Sequence, residues 1–203
     1  MFRHNNITED KIRNENIEFN EKWINNYKLI ESNTISVDKF ENCNPDSSPM
    51  MVVWLKNIDR LMKLTPQSIN VNEYHFIDIG CGVGISTIYF RKNYVFKNYS
   101  GFDFEKRFVK ISKLNQSLIK MNDINFFVND VHDFFIEDNP SFLYLFNPFN
   151  LKLIKVLIEN NIENLKKNNS IIGYVNDIHI DYFESLDVKI IRNNYYNISM
   201  IFF

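Results

Sequence analysis

The first seventy residues carry hydrophobic positions at helical spacing. Within residues 8–30 the apolar side chains fall near one helical face, and Thr8 followed by two acidic residues is typical of an amino-terminal cap. Apolar residues three or four apart recur over residues 51–62, and this second run stops before Pro66. The pattern predicts two amphipathic helices that form an amino-terminal helical cap, residues 1–70.

From residue 71 onward, short apolar runs alternate with segments of helical periodicity. The runs predicted as strands are residues 74–80, 99–104, 124–130, 141–149 and 170–177. The segments predicted as helices are residues 85–92, 108–120 and 151–167. In the predicted helix over residues 108–120, the apolar side expected to face the core consists of Phe108, Ile111, Leu114 and Leu118.

The carboxyl-terminal residues 187–203 contain two further apolar runs, and Asn193–Asn194 between them is typical of a tight hairpin turn. Strands that alternate with helices indicate a parallel sheet covered on both faces. We therefore predict an α/β fold over residues 71–203: a Rossmann-like, mostly parallel seven-stranded sheet with a carboxyl-terminal antiparallel hairpin. The aromatic end of the chain is expected to be a buried strand, with a homodimer interface as the alternative.

Composition narrows the classes of function. The chain has 203 residues, 45% of them hydrophobic, and a formal net charge of -2. Acidic and basic residues are interspersed, so the charge pattern does not favour nucleic acid as a partner. The chain has two cysteines, no secretory signal and no apolar run long enough for a membrane span. These features predict a cytoplasmic location.

Three of the five glycines lie together directly after the first predicted strand, at Gly80, Gly82 and Gly84. Glycines at a turn from strand to helix allow a ligand to approach the backbone and the free N–H groups of the helix. The alternative is a tight turn with no ligand. Asp78, two residues before the first glycine, suits a ligand that carries a cation nearby.

Acidic residues follow the next two strands. Asp103 can accept hydrogen bonds from both hydroxyls of a ribose, or it can cap the helix that follows. Asp130 can accept a hydrogen bond from an exocyclic amine, with Val131 packed on the same ring; the alternative is a loop acid.

Four motifs, "FIDIGCGVG", "GFDF", "FVND" and "LFNPF", together resemble the class I S-adenosylmethionine-dependent methyltransferases over residues 45–203. The resemblance implies that the glycines meet the methionine part of S-adenosyl-L-methionine, that Asp103 with Phe104 beside it holds the ribose, and that Asp130 meets the adenine amine. A looser resemblance, to small bacterial methyltransferases with a loop rich in proline and serine before the core, implies that Ser47 and Ser48 line the carboxylate end of the cofactor.

The fourth strand ends where an acceptor should meet the methyl group. Asn147, expected in an extended conformation before Pro148, could present its amide oxygen to an amine or a hydroxyl. The motif resembles the Asn-Pro-Pro-aromatic signature of amino-group methyltransferases, but Phe149 replaces the second proline. The alternative is an Asn-Pro turn. His132 is a candidate general base or a surface histidine, and no spacing of ligands indicates a metal site.

The predicted function is therefore methyl transfer from S-adenosylmethionine to an oxygen or nitrogen of a small molecule or glycan, by means of proximity and orientation. Two alternatives remain open from the residues. One is a non-catalytic subunit that binds cofactor or a partner, because a fold does not fix an activity. The other is a methyltransferase that acts on a protein.

Overall fold

The computed structural model describes residues 6–31, 46–48, 51 and 53–203, with the backbone only for residues 6–10. The helices are α1 (Asn6–Tyr27), α2 (Leu55–Met62), α3 (Ile85–Asn93), α4 (Lys106–Leu118), α5 (Leu151–Lys167) and α6 (Ile180–Glu184). The strands are β1 (His75–Ile79), β2 (Asn98–Asp103), β3 (Ile124–Val128), β4 (Ser141–Phe146), β5 (Ile171–Val175), β6 (Lys189–Asn193) and β7 (Ile198–Phe202).

The seven described strands form one sheet in the order β3-β2-β1-β4-β5-β7-β6. The first five strands of that order run parallel, and β7 lies antiparallel between β5 and β6. The predicted α/β fold, mostly parallel with a carboxyl-terminal antiparallel pair, is confirmed. β4 and β5 are buried almost throughout because helices cover both faces, which explains their nearly continuous apolar sequences.

The two faces of the sheet have separate hydrophobic cores. On one face α2, α3 and α4 pack with Phe76, Phe142 and Tyr144 of the strands, while α5 and α6 cover the other face. α1 is fastened to the start of α2 by Asn20, whose side chain donates to the carbonyl of Val53 (2.7 Å) and accepts from the backbone N–H of Leu55 (3.0 Å). The amino-terminal helices therefore share a core with the sheet, and the domain boundary at residue 70 stays a prediction.

Two of the predicted helix starts differ from the structure. α1 begins at Asn6, so Thr8 lies inside its first turn rather than at the cap. α2 begins at Leu55 instead of Met51, whose side chain is 44% exposed. The loop over residues 42–49, predicted between these helices, lies outside the described residues except at positions 46–48.

The predicted apolar side of α4 is correct for Phe108 and Ile111, which pack in the core, and wrong for the other two residues. α4 buries Phe108 and Val109 together with Ser112 and Asn115, whereas Leu114 is 48% exposed and Leu118, which was also predicted to face the core, is 52% exposed. Ser112 packs where a side chain on Gly84 would otherwise stand, and Asn115 makes buried hydrogen bonds. Because two polar residues occupy the buried stripe, hydrophobicity does not mark it.

The hairpin turn lies a few residues later than predicted. β6 continues through Asn193, which pairs with Ile198, so the connection is residues 194–197. Asn197 takes the left-handed conformation, with φ +50°, and the backbone N–H of Tyr196 donates to the carbonyl of Asn193. The turn is therefore longer than a two-residue loop.

Candidate functional site

A cleft opens at the carboxyl edge of the sheet, beside the ends of β4, β1, β2 and β3. It encloses about 990 Å³, including space open to solvent. Ten of the predicted site residues line it: Ser47, Ser48, Asp78, Gly80, Gly82, Asp103, Phe104, Asp130, Val131 and Asn147. A position at the carboxyl edge of parallel strands is typical of ligand sites in open α/β sheets.

The turn after β1, residues 80–84, is hereafter the glycine loop. Gly80 has φ +72° and Gly82 has φ +52°, in the region that favours glycine. A Cβ atom on Gly80 would stand 2.6 Å from the Cβ atom of Pro148. The backbone N–H groups of Gly80 and Cys81 both donate to the carbonyl of Phe102 at 2.9 Å, which ties the loop to the end of β2.

Asp78 is the buried carboxylate at the base of the cleft, with 2% of its surface exposed. The hydroxyls of Ser86 and Thr87, in the first turn of α3, both donate to its Oδ2 atom, at 2.5 and 2.6 Å. Burial raises the pKa of Asp78 to about 6, although these two hydrogen bonds act in the opposite direction. Asp78 therefore anchors the start of α3 next to the glycine loop.

Asp103, at the end of β2, is 7% exposed and accepts two backbone hydrogen bonds. Gly82 donates to Oδ2 at 3.0 Å and Glu105 donates to Oδ1 at 2.9 Å. Burial raises the pKa of Asp103 to about 6, against these two bonds. The cap of α4 is Glu105, whose side chain accepts from the N–H of Arg107, so the structure does not support the reading of Asp103 as that cap.

Asp130 lies at the outer end of the cleft, after β3. Its Oδ1 atom accepts from the backbone N–H of His132 at 2.9 Å and lies 2.7 Å from Nδ1 of the same residue. Burial opposes ionisation of Asp130, but the hydrogen bonds and charge of His132 hold its pKa below its usual value. Asp130 thus caps a short 3-10 helix, Val131–Asp133, and still faces the cleft.

Asn147 forms the opposite end of the cleft, after β4. Its φ of +42° lies in the left-handed region, so the predicted extended conformation is wrong. Asparagine tolerates this region better than most residues. Its Oδ1 atom is buried and has no hydrogen-bond partner among the described residues. A buried acceptor of this kind costs about 1–3 kcal/mol until a donor reaches it.

Residues 46–48, hereafter the strap, cross the cleft beside Asn147. Ser47 forms an antiparallel bridge with Phe149, and the backbone N–H of Ser48 donates to the carbonyl of Pro148 at 3.0 Å. At its exposed end, Asp46 accepts from the side chains of Asn150 and Lys152, both at 2.7 Å. The strap and the Asn147–Asn150 turn thus form one wall of the cleft.

With this geometry in view, comparison with known proteins identifies the family. Residues 77–147, from β1 to Asn147, match the family model described as "Methyltransferase domain". This segment is a methyltransferase domain. The family and the cofactor predicted from the sequence, S-adenosylmethionine, are confirmed. No curated protein matches the chain by sequence.

Solved methyltransferase structures share the fold. A ribosomal protein L11 methylase from Lactobacillus delbrueckii subsp. bulgaricus has a TM-score of 0.50 and 16% identity, over 72% of this chain and 78% of that one. A candidate S-adenosylmethionine-dependent methyltransferase from Methanococcus maripaludis has a TM-score of 0.54 and 16% identity, over 73% and 91%. A candidate methyltransferase from Streptococcus mutans, solved with S-adenosylhomocysteine, has a TM-score of 0.52 and 11% identity, over 75% and 99%.

Two predicted site residues of the methyltransferase lie outside the cleft lining. Gly84 is the first residue before α3, and a Cβ atom there would stand 2.8 Å from both Phe126 and Ser112, so its lack of a side chain serves packing. His132 is not among the residues that line the cleft, and its side chain is 51% exposed. Asp177, after β5, is also absent from the lining and is buried in an ion pair with Arg192.

Sequence reasoning missed some residues that shape the methyltransferase cleft. The pairing of Ser86 and Thr87 with Asp78 could have been anticipated, because all three flank the glycine loop in the sequence. Ser47 and Ser48 were expected near the cleft from the resemblance, but the main-chain pairing of the strap could not be anticipated, because its bonds join positions about a hundred residues apart. Within the described residues, no helix is long and apolar enough to cross a bilayer, and no group of three or more acidic, histidine or cysteine side chains is placed to hold a metal.

Proposed function

We propose that the chain transfers a methyl group from S-adenosylmethionine to a nitrogen or oxygen of a small molecule or glycan that donates a hydrogen bond to Asn147. The observation that carries this proposal is the buried Oδ1 atom of Asn147, which lies beside the glycine loop and has no hydrogen-bond partner in the described part of the chain. An N–H or O–H group on the molecule to be methylated would donate a hydrogen bond to that oxygen. This bond would place the nucleophile next to the methyl group of the cofactor.

The order of the strands supports an orientation of the cofactor in which the methyl group faces Asn147. β3, β2, β1 and β4 are neighbours in the sheet, so Asp130, Asp103, the glycine loop and Asn147 follow one another along the cleft. Adenine would meet Asp130 and Val131, and the ribose would meet Asp103 and Phe104. The methionine part would lie on the glycine loop with Ser47 and Ser48 nearby, which leaves the sulfonium methyl group toward Asn147.

The charges of the cleft favour an acceptor without phosphate groups. Asp78, Asp103 and Asp130 line the cleft, and none of its described lining residues is a lysine or an arginine. A nucleic acid usually meets basic side chains at its phosphates. Apolar groups of Phe146, Phe149 and other residues complete the wall at the acceptor end. These features support a small uncharged or cationic acceptor.

Catalysis in this proposal comes from placement. A methyl sulfonium reacts by in-line displacement, so fixing the nucleophile at the correct distance and angle supplies much of the rate. Asn147 would orient the N–H or O–H group through its amide oxygen. The amide is too weak a base to remove the proton. An amine would attack with its free lone pair as the sulfur–methyl bond breaks and would then lose a proton to water, whereas a hydroxyl would lose its proton to water as the new bond forms.

The test separates binding from turnover at Asn147. Asn147→Gly removes the amide and keeps the left-handed backbone at no steric cost. We expect calorimetry to show S-adenosylhomocysteine affinity almost unchanged, because the adenosyl group does not need the amide. We expect release of S-adenosylhomocysteine to fall about 100-fold with acceptors found by screening sugars, amines and cell extract against S-adenosylmethionine.

Asn168→Ala is the control variant, because Asn168 carries an exposed amide at the far end of α5. It should retain both affinity and rate. If Asn147→Gly loses affinity in parallel with rate, Asn147 belongs to the cofactor site instead. A wild-type protein that binds cofactor and methylates nothing in the screen would favour the non-catalytic alternative, and activity confined to protein fractions would favour the protein methyltransferase.

A further inference from the structure

Asn115, in the middle of α4, joins two distant segments of the backbone. The residue is fully buried. Its Oδ1 atom accepts from the backbone N–H of Ile30 at 2.6 Å, and its Nδ2 atom donates to the carbonyls of Ile30 and Val83, both at 2.9 Å. The side-chain amide thus pairs with both main-chain groups of Ile30, and its nitrogen also donates to the carbonyl of Val83.

Val83 belongs to the glycine loop. Two peptides toward the amino terminus, the N–H of Gly82 donates to Oδ2 of Asp103 at 3.0 Å. Both Gly82 and Val83 line the cleft. A hydrogen bond on the Val83 carbonyl limits rotation of the loop peptides, so Asn115 acts on the loop that receives the cofactor without touching the cofactor itself.

Ile30 lies just after α1, in the amino-terminal part of the chain. Its neighbour Leu29 is buried in the same core as α2 and α3, and its N–H donates to the carbonyl of Ile24 at 3.1 Å. The position of residues 29–31 is therefore fixed by α1 on one side and by Asn115 on the other. Asn115 is the point at which this amino-terminal segment meets the glycine loop.

We propose that Asn115 is a positioning residue for cofactor binding, which couples the segment after α1 to the glycine loop so that ordering of one stabilises the other. The proposal rests on the proposed function to the extent that the cleft binds S-adenosylmethionine or S-adenosylhomocysteine. The proposal is one of thermodynamic coupling. Cofactor that fixes the glycine loop also stabilises the hydrogen bonds between Asn115 and Ile30, and loss of Asn115 weakens cofactor binding.

The chain contains a matched control in Asn161 of α5. Asn161 is also buried, and its Oδ1 atom accepts from the backbone N–H of Ile136 at 2.7 Å. Its Nδ2 atom donates to the carbonyls of Phe134 and Leu157, at 3.1 and 2.8 Å. The two asparagines therefore make the same number and kind of hydrogen bonds, on opposite faces of the sheet, and Asn161 has no bond to the glycine loop.

The first experiment compares Asn115→Ala with Asn161→Ala by melting temperature and by calorimetric titration with S-adenosylhomocysteine. Both variants should lose stability, since each removes hydrogen bonds from buried main-chain groups: those of Ile30 and Val83 in Asn115→Ala, and those of Ile136 and Phe134 in Asn161→Ala. Asn115→Ala should weaken S-adenosylhomocysteine binding about tenfold, a typical size for coupling between sites, and Asn161→Ala should leave it unchanged. Equal effects of the two variants on affinity would overturn the proposal.

The second experiment uses the wild-type protein and therefore does not depend on a variant that folds. Hydrogen exchange is followed at the amides of Ile30 and Ile136, which donate to Asn115 and Asn161 respectively. Saturating S-adenosylhomocysteine should slow exchange at Ile30 and leave Ile136 unaffected. If the ligand binds and Ile30 does not respond, the coupling is wrong while the proposed function stands; if the ligand does not bind, both are wrong.

Discussion

The two ends of the cleft are built differently. At the end proposed for the cofactor, hereafter the donor end, Asp78 and Asp103 are buried. Their carboxylates accept hydrogen bonds from Ser86, Thr87 and the backbone. At the acceptor end, Asn147 holds a buried oxygen without a partner among the described residues. One end is organised before any ligand arrives, and the other contains a hydrogen-bonding group that a ligand must satisfy.

This difference separates affinity from specificity. A preorganised donor end loses little conformational freedom when the cofactor binds, so its contacts contribute to affinity. An unpaired oxygen at the acceptor end discriminates between molecules that can donate a hydrogen bond to it and molecules that cannot, because the latter leave it buried and unsatisfied. Under the proposed function, the donor end would bind the same cofactor in every turnover, and the acceptor end would select the molecule to be methylated.

The largest effect is expected where the two ends touch. Gly80→Ala places a Cβ atom 2.6 Å from that of Pro148 and forces alanine into φ +72°. Backbone strain and overpacking together should destabilise the protein by about 2–5 kcal/mol in chemical denaturation. Calorimetry should show loss of S-adenosylhomocysteine binding. Adding Pro148→Gly removes the clashing atom and should recover part of the stability; a Gly80→Ala protein like the wild type would contradict the close approach.

A smaller effect, confined to the donor end, is expected from Asp103→Asn. The amide oxygen can still accept one backbone hydrogen bond, but the ribose hydroxyls lose a charged acceptor. S-adenosylhomocysteine binding should weaken by about 1.5–3 kcal/mol in calorimetry. The control is Asp138→Asn, which removes a carboxylate from an exposed pair with Lys167 and should leave affinity unchanged. Unaltered affinity in a folded Asp103→Asn protein would remove the residue from the ribose site.

The smallest effect is expected from pH, and it should have opposite signs for stability and binding. Burial raises the pKa values of Asp78 and Asp103 to about 6, from 3.8. Their contribution to stability is complete below about pH 4 and is lost as pH rises through 6. These two groups should therefore make the free energy of unfolding of the cofactor-free protein larger at pH 5.5 than at pH 7.

Binding should change in the other direction, because ribose hydroxyls favour an ionised carboxylate. At pH 5.5 about a quarter of a group with a pKa of 6 is ionised, so S-adenosylhomocysteine affinity should be about fourfold lower than at pH 7. Titrations at both pH values measure this difference. Asp103→Asn should reduce the pH dependence of binding, and a wild-type affinity that rises at low pH would show that the acids do not act as described.

The sequence was a good guide where hydrophobicity controls the structure. β4 and β5 are buried on both faces, so their apolar runs identified them as strands of a covered sheet. The sequence was a poor guide to α4, because the buried stripe of that helix contains Ser112 and Asn115, whose partners come from the glycine loop and the amino-terminal segment.

The site shows the same division. Glycines and acids at strand ends were sufficient to find the donor end, because the order of strands fixes their relative positions. Of the two readings of Asp103, the helix cap is excluded by the side chain of Glu105, which occupies the cap, and the ribose acceptor stays a prediction. The strap and the left-handed conformation of Asn147 depend on contacts across the fold that no local pattern carries.

The position of β7 has a consequence for how the protein is made. β7 is the last of the described strands to be synthesised, yet it lies between β5 and β6, with Met200 and Ile201 fully buried. Until residues 198–202 leave the ribosome, β5 presents an unpaired apolar edge of the kind that pairs with other chains. Truncation or stalled synthesis before residue 198 therefore exposes the sheet to aggregation, although every residue of the cleft has already been made.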